Sequence, residues 1–169
     1  MAQLIKDREV HVDTWQALDL TEDDHAETVT LPLGETIFPL AVWRSRQAEI
    51  IARGERIGLL LQADDTVEEI AADLPRFALV AVNFPRFVDG RGYSTASLLR
   101  QRYGYRGELR AVGDVLHDQL FYLARVGFDS YALKNGKNAA HALTAGFSTF
   151  RDSYQAASDQ PQPWFRRRA

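Results

Sequence analysis

The chain has 169 residues, which suits one domain with a sizeable hydrophobic core. It contains no cysteine, which excludes disulfides, thiol catalysis and cysteine-ligated metal, iron–sulfur or haem centres in this chain. Its formal net charge is −3 at pH 7, and it has no continuous basic stripe with interleaved aromatics. We therefore predict no cofactor, no metal and no nucleic-acid partner.

The start of the chain, MAQLIKDREVHVD, carries charges where a secretion signal requires an apolar core. No stretch reaches the roughly 20 apolar residues of a membrane helix. These two features predict a soluble cytoplasmic protein without a membrane partner.

The amino-terminal part predicts a hairpin, a loop and a helix. Leu4 to Lys6 and Val10 to Val12 flank a short charged turn, as in a β-hairpin. The acidic stretch over residues 19–27 reads as an exposed loop. Pro39 suits the first turn of a helix that Gly54 can end in a left-handed conformation.

Alternating strand and helix patterns follow. The predicted strands are Ile57 to Leu61, Phe77 to Val82, Glu108 to Val112 and Ser130 to Leu133. Between them, Thr66 with Glu69 fits a capping box, Ser94 can cap the next helix and Asp114 can cap the one after. The last helix has the stripe Ala140, Leu143, Phe147 and Phe150.

Four βα units with short connections predict a mainly parallel sheet. The fold class is therefore α/β, built either as an open layered sheet with helices on both faces, which we favour, or as half of a β/α barrel. A half barrel would expose its concave face, which the amino-terminal hairpin and helix, or a second copy in a homodimer, would have to cover. We predict one domain over residues 1–159 and a flexible basic tail over 160–169.

Polar residues cluster after the predicted strands, where core periodicity does not require them. Carboxyl ends of parallel strands meet at one edge of a sheet, and ligands bind there in α/β folds. Arginine's planar donors suit carboxylate, phosphate and sulfur oxyanions. The predicted ligand-binding residues are Asn83, Arg86, Gly90, Arg91, Gly92, Arg110 and Asp114.

Several of these residues also have structural interpretations. Gly90 and Gly92 either let an anion approach a helix start or permit a tight turn. Arg110 lies inside an apolar strand, so it requires a partner, which is Glu108, Asp114 or a ligand. Asp89 is a candidate base, or it orients Arg91, or it is a turn residue.

His117 is the second candidate catalytic residue. It lies in the first turn of the predicted helix after Asp114 and could reach the strand edge. Its unperturbed pKa, near 6.5, suits an acid or base. With no second histidine nearby in sequence, a metal site is not expected.

The segments FPRFVDGRGYS, LLRQRYGYRGELRAVGDVLHDQ and LARVGFDSYAL, with LPL at Leu31 to Leu33 and the FSTFRDSYQ that ends at Gln155, resemble a known signature. It is that of a family of uncharacterised bacterial proteins whose genes tend to lie beside those of assimilatory sulfite reduction. Members are often labelled probable oxidoreductases. The resemblance implies a pathway, whereas GRGYS lacks the GxGxxG spacing of dinucleotide-binding proteins.

Two functions follow as hypotheses. The first is an accessory protein of assimilatory sulfate and sulfite reduction, which binds a sulfite reductase component or a small anion and has no redox centre of its own. The second is an enzyme that acts on a small anionic substrate at the carboxyl edge of the sheet.

Overall fold

The computed structural model describes residues 3–134, 138–148 and 153–167. The strands found there are β1 Gln3–Lys6, β2 Glu9–Val12, β3 Gln16–Ala17, β4 Thr36–Pro39, β5 Ile57–Leu61, β6 Phe77–Phe84, β7 Glu108–Gly113 and β8 Ser130–Tyr131. The α-helices are α1 Leu40–Ala52, α2 Arg91–Ser97, α3 Leu120–Val126, α4 Ala139–Ser148 and α5 Trp164–Arg167. A π-helical turn, Leu98–Arg102, continues α2.

The described strands form one eight-stranded sheet in the order β2-β1-β8-β7-β6-β5-β4-β3. From β3 to β8 every neighbouring pair is parallel. The four predicted strands are therefore confirmed, as β5 to β8, and so is the amino-terminal hairpin, since β1 and β2 pair antiparallel. The sheet contains more strands than the four predicted units, because β3 and β4 extend it on one side and the hairpin on the other.

The helices cover one face of the sheet. The main core joins alternate strand residues, such as Leu59, Val80 and Leu109, to residues of α1, α2 and α3. Consecutive right-handed crossovers between sequentially ordered parallel strands place the connecting helices α1, α2 and α3 on the same side. The structure is therefore a curled half barrel, and the favoured open sheet with helices on both faces is wrong.

The curl of the sheet follows from one short connection. Strands β2 and β3 lie at opposite edges, yet only residues 13–15 separate them. Four Cα-to-Cα steps span at most about 14 Å, whereas a flat sheet of eight strands would be about 34 Å wide. The two edges must therefore curl toward each other, and the segment from β2 to β3 bridges them.

This bridging segment, rather than α1, covers the concave face. Asp13 reaches Arg110 of β7 from the bridge, and the Trp15 ring lies over Gly58 of β5, where a Cβ atom would come within 3.1 Å of it. Helix α1 belongs to the convex core, through residues that include Trp43. Of the two covers expected for a half barrel, the amino-terminal helix is therefore wrong, and a second copy stays a prediction.

Local details around α1 and after β5 differ in part from the predictions. Helix α1 begins after Pro39, and Gly54 follows it with φ +67°, as predicted. The segment after β5 forms two 3₁₀ turns, Val67–Ile70 and Leu74–Arg76, instead of an α-helix. The Thr66 hydroxyl bonds the Glu69 carboxylate, 2.8 Å away, but makes no hydrogen bond to the backbone of the turn.

The carboxyl-terminal part contains the predicted last helix as α4, and Phe150 of its stripe lies outside the described residues. Within residues 160–167, α5 forms a short helix. The division at residue 159 stays a prediction. Among the described residues, no helix is long and apolar enough to cross a membrane.

Candidate functional site

The carboxyl edge of the sheet carries a projecting loop where β6 and β7 end side by side. Asn83 is in register with Val112, and Phe84 with Gly113. Residues 85–90, which we call the β6–α2 loop, leave the edge at this point. Most of the residues predicted from the sequence lie in this loop or beside it.

Asp114 holds the β6–α2 loop against the sheet edge. Its backbone N–H donates to the Phe84 carbonyl at 2.7 Å, and its carboxylate accepts the Phe87 N–H at 3.1 Å. The Lys134 ammonium, 2.9 Å away, lowers the pKa of the Asp114 carboxyl. The expected N-cap role is wrong, since the next helical turn begins at His117 with Leu116 at its N-cap.

Asp89 and Arg91 form a bidentate ion pair at the far end of the loop. The Arg91 guanidinium donates to both Asp89 oxygens, at 3.0 and 2.6 Å, and to the Asp64 carboxylate. This contact lowers the pKa of Asp89 to about 2 and raises that of Arg91. A carboxylate with so low a pKa is a weak base, so the geometry favours the interpretation that Asp89 orients Arg91.

Asn83 and the two glycines have packing contacts of their own. The Asn83 amide donates to Gln62 Oε1 at 2.7 Å. A Cβ atom on Gly92 would come within 2.5 Å of the Phe84 ring, so glycine allows α2 to pack closely on β6. No atom lies within 4 Å of a Cβ built on Gly90. Helix α2 begins at Arg91, which places Ser94 inside its first turn, and the predicted Ser94 cap is wrong.

Arg110 lies on the concave face, away from this loop. Its side chain is 2% exposed and donates to Glu108 at 2.7 Å and to Asp13 at 2.9 Å. Lys6 also donates to Glu108, at 2.7 Å. Burial alone would raise the pKa of Glu108, but the contacts with Lys6 and Arg110 lower it overall. Glu108 is the partner predicted within the strand, whereas Asp13 and Lys6 are distant in sequence from β7 and were not predicted as partners.

His117 is exposed at the carboxyl edge, with its ring 5.9 Å from that of His141. Within the described parts of the chain, no group of three or more His, Asp or Glu side chains is arranged to hold a metal ion.

The loop exposes three consecutive residues that sequence reasoning had not combined. Phe87 is 43% exposed and Val88 84% exposed. Arg86 is exposed too, and its guanidinium makes no ion pair with the described residues. Behind the loop lies a cavity of about 640 Å³, lined by Phe87, Tyr93, Tyr122 and residues of α3 and of the segment 155–157. The available signal was an apolar pair, Phe-Val, between turn residues in PRFVDG.

The β6–α2 loop and strands β6, β7 and β8 lie within the part of the chain that matches a known protein family. Residues 58–165 match the model of a family described as bacterial protein of unknown function (DUF934). The chain belongs to this family. A search of curated proteins found no match.

Proposed function

We propose that the protein is an accessory factor of assimilatory sulfite reduction that binds a protein component of the sulfite reductase. The resemblance of its signature segments to proteins encoded beside sulfite reduction genes supports the pathway. The absence of cysteine supports a role without a cluster of its own, because cysteine thiolates are the usual ligands of iron–sulfur centres. The redox chemistry would then belong to the partner.

The observation that carries the proposal is the exposed sequence Arg86-Phe87-Val88. Aromatic residues and arginine are enriched among the residues that dominate binding energy at protein interfaces. The loop is held in place before binding, by Asp114 on one side and by Gln119, whose side chain donates to the Phe87 carbonyl at 3.3 Å, on the other. A preorganised loop loses less conformational entropy when it binds.

The geometry gives weaker support to a small anionic substrate at the same edge. Carboxylates already occupy the guanidinium groups of Arg91 and Arg110, and Arg110 is buried on the concave face. Arg86 is the remaining cation among the predicted ligand-binding arginines. The contact between Arg91 and Asp89 also stabilises the loop, so it favours partner binding.

A growth experiment tests this proposal. In a bacterium whose own copy of the gene is deleted, the Phe87→Ser/Val88→Ser variant is expected to fail to restore growth on sulfate as sole sulfur source. Removing two apolar side chains from the centre of an interface typically weakens binding by several kcal/mol, or more than tenfold. Growth rate with sulfate and with added cysteine is the measurement.

Leu33→Ser is the matched control, because Leu33 is 81% exposed and lies just before the first residue of β4. This position is at the amino ends of the parallel strands, whereas the β6–α2 loop is at their carboxyl ends. It should restore growth like the parent protein. Immunoblots establish that all three proteins accumulate equally. Normal growth of the double variant at equal abundance would refute a role for the loop.

A further inference from the structure

A second cavity, of about 520 Å³, lies at the amino edge of the sheet, opposite the β6–α2 loop. We call it the amino-edge cavity. Its wall is formed by the β1–β2 turn, the loop before β7, the start of β8 and the segment 158–159. Its volume lies within the range of about 300 to 1,000 Å³ that is typical of small-molecule sites.

The floor of the amino-edge cavity is formed by a network of hydrogen bonds around Arg100. Its guanidinium donates to three backbone carbonyls, those of Tyr105, Gly107 and Gly127, and to the Asp129 carboxylate at 2.7 Å. The other Asp129 oxygen accepts the Leu109 N–H at 2.9 Å. Arg100 and Asp129 therefore have their partners within the protein, and they fix the shape of the cavity.

Two further arginines, Arg8 and Arg106, line the same cavity and have no acidic partner among the described residues. Ten other described arginines, from Arg44 to Arg125, make ion pairs, whereas Arg8 and Arg106, like the exposed Arg86, make none with the described residues. Asp159 of the opposite wall is 3.7 Å from Arg125. Asp7 also lines the cavity and makes no ion pair with the described residues, so two unpaired guanidinium groups lie there beside one unpaired carboxylate. The excess of guanidinium groups favours an oxyanion, since arginine donors match its geometry.

Arg8 is held in position by the β1–β2 turn and by an aromatic ring. Asp7 and Arg8 are the two central residues of this hairpin turn, and both have the left-handed backbone angles, φ of 49° and 63°, that a two-residue type I′ turn requires. The Asp7 N–H donates to the Asp129 carbonyl at 2.9 Å, which ties the turn to the floor. The Arg8 guanidinium lies 5.2 Å from the centre of the Phe147 ring. These contacts fix the Arg8 guanidinium at the wall of the cavity.

We propose that the amino-edge cavity binds a small organic anion, whose phosphate, sulfate or carboxylate group contacts Arg8 and Arg106. Ala124 and Phe128 give the cavity apolar surface for a carbon skeleton, which a bare inorganic anion would not use. Gln101 donates to the Ser158 hydroxyl at 3.3 Å, and the remaining hydrogen-bonding capacity of this pair suits a ligand hydroxyl group. This site stands independently of the proposed partner surface, which lies at the other edge.

The test is a titration of the ¹⁵N-labelled full chain with phenyl phosphate, followed by nuclear magnetic resonance. We expect saturable shifts of the backbone amides of Arg8, Arg106 and Asp129, and weaker binding of inorganic phosphate. The Arg8→Gln/Arg106→Gln variant should bind phenyl phosphate at least about tenfold more weakly, because each charge-assisted hydrogen bond is lost. Its spectrum also shows whether it is folded.

Arg166→Gln is the matched control, since Arg166 is an exposed arginine that makes no ion pair with the described residues and does not line the amino-edge cavity. It should bind phenyl phosphate like the parent protein. Shifts that center on the β6–α2 loop and disappear in Arg86→Gln would overturn the proposal. So would the absence of saturable shifts at millimolar phenyl phosphate, or equal binding by a folded double variant.

Discussion

Replacing Arg110 with alanine is expected to lower the free energy of unfolding by about 3 to 5 kcal/mol. The Arg110 side chain is 2% exposed and the Glu108 side chain is 6% exposed, so neither charged group is solvated by water. Without Arg110, Glu108 keeps only Lys6 as a cationic partner, and Asp13 loses the contact that ties the bridging segment to β7. Chemical denaturation monitored by circular dichroism measures the change.

Two further variants separate this effect from general damage. Arg86→Ala removes an exposed arginine and should change stability by less than about 0.5 kcal/mol. Glu108→Leu combined with Arg110→Met should cost less than the sum of the two single changes, because a buried ion pair can be replaced by apolar residues more cheaply than it can be broken. A loss below about 1 kcal/mol in Arg110→Ala would contradict the buried network.

The Gly113→Ala variant is expected to lose about 2 to 5 kcal/mol of stability, through backbone strain and overpacking together. Gly113 has φ +93°, and a Cβ atom there would come within 2.4 Å of Asn83 Oδ1 and 2.5 Å of the Phe84 carbonyl oxygen. The Phe84 oxygen belongs to the backbone of β6, so it cannot move aside. The added methyl group should also displace the Asp114 N–H from that carbonyl and loosen the β6–α2 loop.

Alanine variants of two other glycines separate the cost of backbone strain from the cost of overpacking. Gly104 has φ +63° with no atom within 4 Å of a built Cβ, so Gly104→Ala should show the backbone term alone, about 1 kcal/mol. Gly90 is equally open and has φ −86°, so Gly90→Ala should be nearly neutral. Thermal or chemical denaturation of the three variants gives the comparison. A Gly113→Ala protein as stable as Gly104→Ala would show that β6 tolerates the added methyl group.

The sequence predicts the parallel strands because their signal is local. Strand β6 is a largely continuous apolar run, β5 is apolar around Gly58, and β7 has a shorter apolar stretch that Arg110 interrupts. Strand β4 has only four residues and ends at Pro39, and β3 has two, so neither gives a periodic pattern. The curl of the sheet has no local sequence signal, because it depends on the edge strands β2 and β3, which are held together by the bridging segment.

The candidate site was predicted by position but not by role. The sequence places Asp89, Arg91 and Asp114 near one edge, and the structure brings them together around the β6–α2 loop. Their partners, Asp64 and Lys134, are distant in sequence, so their pairing could not be read from it. Arg110 differs because side chains alternate along a strand, and its register directs it to the concave face.

The proposed role also depends on a feature that periodicity cannot detect. Exposure of Phe87 and Val88 is a property of the folded loop, since the same apolar pair could equally lie in a core. The loop becomes an interface candidate only when Asp114 and Gln119 are seen to hold its backbone outward.

Binding of the purified chain to purified assimilatory sulfite reductase of the same bacterium tests the central claim most directly. Isothermal titration calorimetry should show saturable binding that Phe87→Ser/Val88→Ser weakens at least about tenfold and Leu33→Ser leaves unchanged. No detectable binding to the reductase, equal binding by the double variant, or sulfite reduction by the isolated chain with an electron donor would contradict the account.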